Sequence, residues 1–172
     1  MRPQHGGMGS LYLILYVDDI TFFGSSMEDI EALKTALSTH FEMTNMGEIQ
    51  SYLGICILRD RPNRRLEIDQ SRYLRGVLAR FNMADANPCA TPLPTGADVH
   101  LVKFEGQASV ADTKLYQSII GSLLYIQIGT HPDISFAVSH LAQYASNPSS
   151  QHMRLAKYIL AYLVGTVDAK LV

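Results

Sequence analysis

Cysteine is scarce: only Cys56 and Cys89 occur, far apart and without the C-x-x-C or Cys/His spacing of a zinc site or redox pair, so both read as free, packed thiols. Long apolar runs are missing too. Runs such as Leu11 to Val17 are far too short to cross a bilayer, and Met1 to Ser10 lacks the apolar core of a signal peptide. A soluble intracellular protein is therefore expected. Basic charge is not in excess, and a formal net charge of −2 argues against a surface that embraces nucleic acid everywhere. Internal repeats and low-complexity tracts are absent. No serine sits in a G-x-S-x-G elbow, and Gly6-Gly7-Met8-Gly9 precedes a strand instead of opening a helix. The six histidines make no i, i+4 pair on a predicted helix, which leaves them surface or packing roles.

What is present is a real core. The chain has 172 residues, 47% of them apolar, enough for one compact unit or two small ones. Charge is unevenly spread: seven arginines (59, 61, 64, 65, 72, 75, 80) lie between Arg59 and Arg80 against Asp60, Glu67 and Asp69. Such a stretch is either a solvated face or the landing site of a polyanion.

The pattern predicts an α+β chain. Leu11 to Val17 and Ile20 to Gly24 are β-rich runs separated by Asp18-Asp19, a hairpin with both aspartates at its tip. Ser26 with Asp29 fits a capping box, and Ile30, Leu33, Leu37 and Phe41 recur at helical spacing, so Met27 to about His40 should be a helix covering that hairpin. Gln50 to Leu58 and Arg65 to Ile68 flank a turn at Pro62-Asn63, a second and more basic hairpin. From Ser71 a helix buries Tyr73, Leu74, Val77, Leu78 and Phe81 and carries Arg72, Arg75 and Arg80 on its other side. The prolines between Asn87 and Asp98 mark a linker, followed by a loop to Ala111 and helices over Asp112–Ile128, Pro132–Ala145 and Ser150–Val164. Thr130 with Asp133 suggests a capping box for the second of these. The stripe of Tyr116, Ile119, Ile120, Leu123, Leu124 and Ile128 is a plain helix core.

Paired aspartates in a turn are a weak signal alone, because Asp is a favoured turn residue without any metal. Two adjacent carboxylates between apolar strands nevertheless repel one another, and a hard cation such as magnesium suits them. Tyr16-Val17-Asp18-Asp19 matches the Tyr-x-Asp-Asp signature of reverse transcriptases. The likeness continues in order through Phe41 to Glu48, Tyr52-Leu53-Gly54-Ile55, Gln70-Ser71-Arg72-Tyr73, Asn87 to Leu93, Tyr116 to Tyr125 and Pro132 to Val138. With these motifs the chain resembles the C-terminal part of a copia-type retrotransposon reverse transcriptase, an RNA-directed DNA polymerase.

That resemblance implies a partial palm with its hairpin over residues 1–58, a thumb-like part over 59–98 and a helical connection over 99–172. It implies that Asp18 and Asp19 are two of the catalytic, metal-binding carboxylates of a two-magnesium nucleotidyl-transfer site. Tyr16 and Val17 would pack near the primer terminus, and Leu53 and Gly54 would belong to the primer grip. Arg59, Arg61, Arg64, Arg65, Arg72 and Arg75 would contact phosphates of an RNA template and DNA primer. The family acts in the cytoplasm. Its metal site also needs an upstream aspartate, yet Met1 to Leu15 contains no Asp or Glu. His131 replaces an arginine usual before Pro-Asp, and Met153 a tryptophan common after His152. Two expectations follow. The chain alone should be inactive as a polymerase and self-associate through an open palm edge; alternatively, it is a non-enzymatic nucleic-acid-binding or interaction module derived from that polymerase.

Overall fold

Alternation of apolar residues and a two-residue connection make the first hairpin. The structure, a computed structural model, describes residues 10–94 and 101–172 and divides the chain into two compact units, Met1–Ile49 and Gln50–Val172. The glycine-rich segment before the hairpin and the end of the proline-rich linker lie outside the described residues.

In the first unit, β1 (Leu11–Tyr16) and β2 (Asp19–Gly24) pair antiparallel, from Leu11↔Gly24 to Tyr16↔Asp19. The turn is therefore one residue earlier than the sequence suggested: Val17 and Asp18 form the loop, and Asp19 already belongs to β2. A two-residue hairpin needs positive φ at one or both central positions, and Val17 supplies it at +52°. Helix α1 (Met27–Ser38) starts where Ser26 Oγ accepts from the Asp29 N–H at 3.2 Å, one half of the expected box. It buries Ile30 and packs against β2. The strands themselves are not buried as expected, because Tyr12, Leu13, Ile14, Leu15 and Tyr16 are all exposed.

The second unit holds a sheet ordered β3-β4-β5, with β3 (Ser51–Tyr52), β4 (Ile55–Asp60) and β5 (Arg65–Asp69). The run Gln50 to Leu58 is thus not one strand; it is broken by a turn at Leu53-Gly54. Helices α2 (Ser71–Arg80), α3 (Val110–Gly129), α4 (Ser135–Ala142) and α5 (Ser150–Gly165) follow. Their apolar faces share one core, in which Leu74, Val77, Ile119, Leu123, Leu141 and Ile159 are fully buried. Each such side chain contributes roughly 1.5–3 kcal/mol on burial. Tyr116 is buried among them because its hydroxyl donates to the Leu141 carbonyl at 2.7 Å.

The expected helix from Pro132 to Ala145 is two pieces, a 3-10 turn at Pro132–Ile134 and then α4. The Thr130/Asp133 box does not form, because both side chains take other partners. Thr130 Oγ1 donates to Gln70 Oε1 at 3.0 Å, and Asp133 accepts from the Tyr162 hydroxyl, whose pKa is pushed up to about 12 chiefly by that bond. His131 is buried and satisfied, with Nδ1 beside Thr130 and Nε2 beside the Thr166 carbonyl. Among the described residues the architecture is mixed α and β, with two small antiparallel sheets, five α-helices and no closed barrel. No helix there is long and apolar enough to cross a membrane.

Candidate active site and nucleic-acid interface

Asp18 and Asp19 both lie at the end of the first hairpin. Asp18 is a loop residue, and Asp19 opens β2 on the same face as its register partner Tyr16. Both carboxylates are exposed, and neither has a hydrogen bond or ion pair among the described residues. Val17, 79% exposed, holds a positive φ that a β-branched residue tolerates poorly. Strain at one residue beside two unpaired acids is the kind of local cost that clusters at functional sites.

The donor set fits part of a magnesium site. Magnesium is commonly bound through one or two carboxylates together with waters and substrate phosphates, which Asp18 and Asp19 can supply. No group of three or more His, Cys, Asp or Glu that could hold a metal occurs among the described residues, so no third protein ligand joins the pair.

The arginines fall into two places in the second unit. Arg61 and Arg64 lie in the loop between β4 and β5, with Arg59 and Arg65 on the flanking strands. This loop is shaped by Asp60, which accepts from the Asn63 side-chain amide at 2.7 Å and from its backbone N–H at 3.2 Å; those bonds hold the Asp60 carboxyl below its usual range. Arg64 takes a positive φ of 52° to close it. On α2, Arg72 and Arg75 lie three residues apart and share a face.

The six candidate phosphate contacts are not equivalent. Arg65 pairs with Glu67 at 2.7 Å, and Arg75 pairs with Asp168. Arg59, Arg64 and Arg72 are exposed and form no ion pair among the described residues, which leaves them the freest for a polyanion.

Leu53 and Gly54 close the β3–β4 hairpin with φ of +50° and +82°, the positive pair of a type I′ turn. The Leu53 carbonyl accepts from the Tyr125 hydroxyl. The sequence assigns that tyrosine no role of its own, although it ends the run Tyr116 to Tyr125. Its only sequence signal is a hydroxyl-bearing ring beside an otherwise apolar helix stripe.

The chain is similar to known proteins along nearly all of its length. The family model described as "Reverse transcriptase (RNA-dependent DNA polymerase)" matches residues 2–95. The chain is 38% identical over 162 residues to the retrovirus-related Pol polyprotein from transposon TNT 1-94 of Nicotiana tabacum, covering 91% of this chain and 12% of that protein. It is 35% identical over 162 residues to the Pol polyprotein from transposon RE2 of Arabidopsis thaliana, covering 94% of this chain and 11% of the other. An uncharacterized mitochondrial protein of Arabidopsis thaliana is 36% identical over 157 residues, covering 91% of this chain and 62% of its own. The chain thus spans only about a tenth of the polyproteins it resembles. No solved structure matches. With a family match over more than half its length and the same relatives along nearly all of it, the chain belongs to the reverse transcriptase family carried by copia-type transposon Pol polyproteins.

Proposed function

We propose that these residues are the catalytic-hairpin, primer-grip, thumb and connection part of an RNA-directed DNA polymerase, and that Asp18 and Asp19 are two of its metal-binding carboxylates. The observation that carries the reading is the pair of exposed, unpartnered aspartates at the end of a strained two-residue hairpin. Bound magnesium ions would activate the primer 3′-hydroxyl and steady the leaving pyrophosphate. The protein's own part is to hold that site and its substrate. Asp18 and Asp19 fix the acidic end, Tyr16 and Val17 flank the nascent pair, and Leu53 and Gly54 contact the primer end. Arg59, Arg64 and Arg72 neutralise phosphates without reading bases.

Taken alone, these 172 residues hold two of the carboxylates, and a site short of one metal anchor is slower by many orders of magnitude. Purified protein is therefore expected to bind a primed RNA template and give no extension product with magnesium or manganese. Template-dependent product would overturn that. Binding should be salt-dependent, and replacing Arg59, Arg64 and Arg72 with alanine should flatten the log–log salt slope by roughly 2–3. An unchanged slope would remove the arginines from the interface.

A second reading is favoured by the exposed Arg59, Arg64 and Arg72, which form no ion pair among the described residues: a nucleic-acid-binding module in which the aspartates do not act. Asp18→Asn separates the two. If magnesium strengthens hybrid binding by the unaltered protein and not by the variant, the polymerase reading stands; if the variant behaves identically, the module reading does.

A further inference from the structure

We propose that Tyr125 is a positioning residue for the Leu53–Gly54 turn, so that the C-terminal helices set the geometry of the element that contacts the primer end. This rests on the polymerase reading given above for that turn. A type I′ turn wants Gly, Asn or Asp at both central positions, and here the first is Leu53, whose side chain resists positive φ. A bond from outside the hairpin helps to hold it there.

Tyr125, near the C-terminal end of α3, does so: its hydroxyl donates to the Leu53 carbonyl, a partner 72 residues away in sequence. Gly54 completes the contact, because a Cβ built there would lie only 3.0 Å from the Tyr125 hydroxyl oxygen. Glycine at this position thus serves twice, for its φ of +82° and for the close approach of the phenol.

The tyrosine is itself fixed from the arginine-bearing helix. Its ring stands edge-on to Tyr73 on α2, with centroids 4.6 Å apart and planes at 70°. Its backbone carbonyl accepts from the buried Gln70 side-chain amide at 3.4 Å, immediately before α2 begins. Turn, phenol and α2 therefore form one connected set within the second unit, and a shift of α3 would be transmitted to the turn.

The test uses the full chain and Tyr125→Phe, which keeps the ring on Tyr73 and removes only the hydroxyl. Tyr144→Phe serves as control, since it deletes a comparable phenol-to-carbonyl bond, to Leu101 at 3.0 Å, elsewhere in the unit. Two quantities are read: amide hydrogen exchange at Tyr52 to Ile55, and the ratio of affinities for an RNA–DNA hybrid with a recessed primer 3′ end and for a blunt hybrid of equal length. Tyr125→Phe should speed exchange at the turn and cut the end preference about two- to tenfold, the size of one hydrogen bond, while Tyr144→Phe changes neither. Unchanged exchange at the turn overturns the proposal. So does faster exchange with the end preference intact, which would make the bond merely structural. If the unaltered protein binds no hybrid, the polymerase reading fails and the positioning role with it, an outcome recognisable because no variant is needed to see it.

Discussion

Tyr16 and Asp19 are the closing register pair of the first hairpin, and this leaves Val17 alone to supply the positive φ that the turn demands. The account therefore expects Val17→Gly to stabilise the hairpin. Relief of the left-handed penalty is worth about 1–2 kcal/mol and the added flexibility of glycine offsets about half of it, for a net gain of about 0.5–1 kcal/mol. Slower amide exchange across the β1–β2 ladder would show this. Faster exchange in the variant would mean that Val17 is not strained.

Strands β1 and β2 present apolar residues on both faces, neither edge of this two-stranded sheet is paired among the described residues, and no Lys, Arg or Pro interrupts Leu11 to Gly24. Such edges invite pairing with another chain. Light scattering should accordingly show concentration-dependent self-association, reduced by Leu13→Lys. Amides of β1, β2 and α1 should exchange at least about a hundredfold faster than those of α3 and α5, because a two-stranded hairpin with one helix is marginal by itself. A strict monomer at high concentration, or uniform protection across both units, would contradict this.

Acid should loosen the start of α5. His152 is fully buried, its Nδ1 accepts the Ser149 N–H at 2.9 Å, and its ring stacks on Tyr144 at 4.1 Å. Burial, together with the nearby His140, lowers its pKa from the usual 6.5, outweighing a carbonyl contact from Val102. The folded form thus prefers the neutral ring while the unfolded form protonates near 6.5. Its stabilising contribution is full above that pH and is lost as pH falls towards the depressed folded value. His152→Gln can keep the capping geometry without titrating. Urea unfolding should then show a smaller drop in stability between pH 7.5 and 5 for the variant than for the unaltered chain. Equal drops would show that His152 is not the responsible group.

Gly129→Ala offers a clean conflict of local and tertiary effects. Alanine favours a helix over glycine by about 1 kcal/mol, yet the new methyl would overlap the side-chain amide of Gln70, which is 1% exposed. Moving Gln70 forfeits its bonds to Thr130 Oγ1 and the Tyr125 carbonyl, a loss of about 1–3 kcal/mol for buried polar groups. Net destabilisation of about 1 kcal/mol is expected from thermal melts. A raised melting temperature would mean that Gln70 relaxes freely.

Much of this was legible in the sequence, and the misses share a cause. Periodicity located α1, α2, α3 and α5 because their apolar stripes are long enough to average out single residues. The Tyr-x-Asp-Asp run gave away the first hairpin, but the closing pair was off by one, since nothing in the local sequence says that a valine will accept a left-handed conformation. The break at Leu53-Gly54 was hidden for the same reason: the apolar run continues through it, and its conformation depends on Tyr125, far away along the chain. Thr130 and Asp133 carried the spacing of a capping box and lost it to Gln70 and Tyr162, partners that only the fold brings near.

The central claim, that Asp18 and Asp19 together grip a divalent cation, is tested most directly by titrating manganese into isotope-labelled protein and following paramagnetic broadening of its amide signals. Selective loss of signals from Tyr16 to Ile20, abolished by Asp18→Asn, is the result expected. Broadening centred elsewhere, or broadening at the hairpin that persists in the variant, would contradict it.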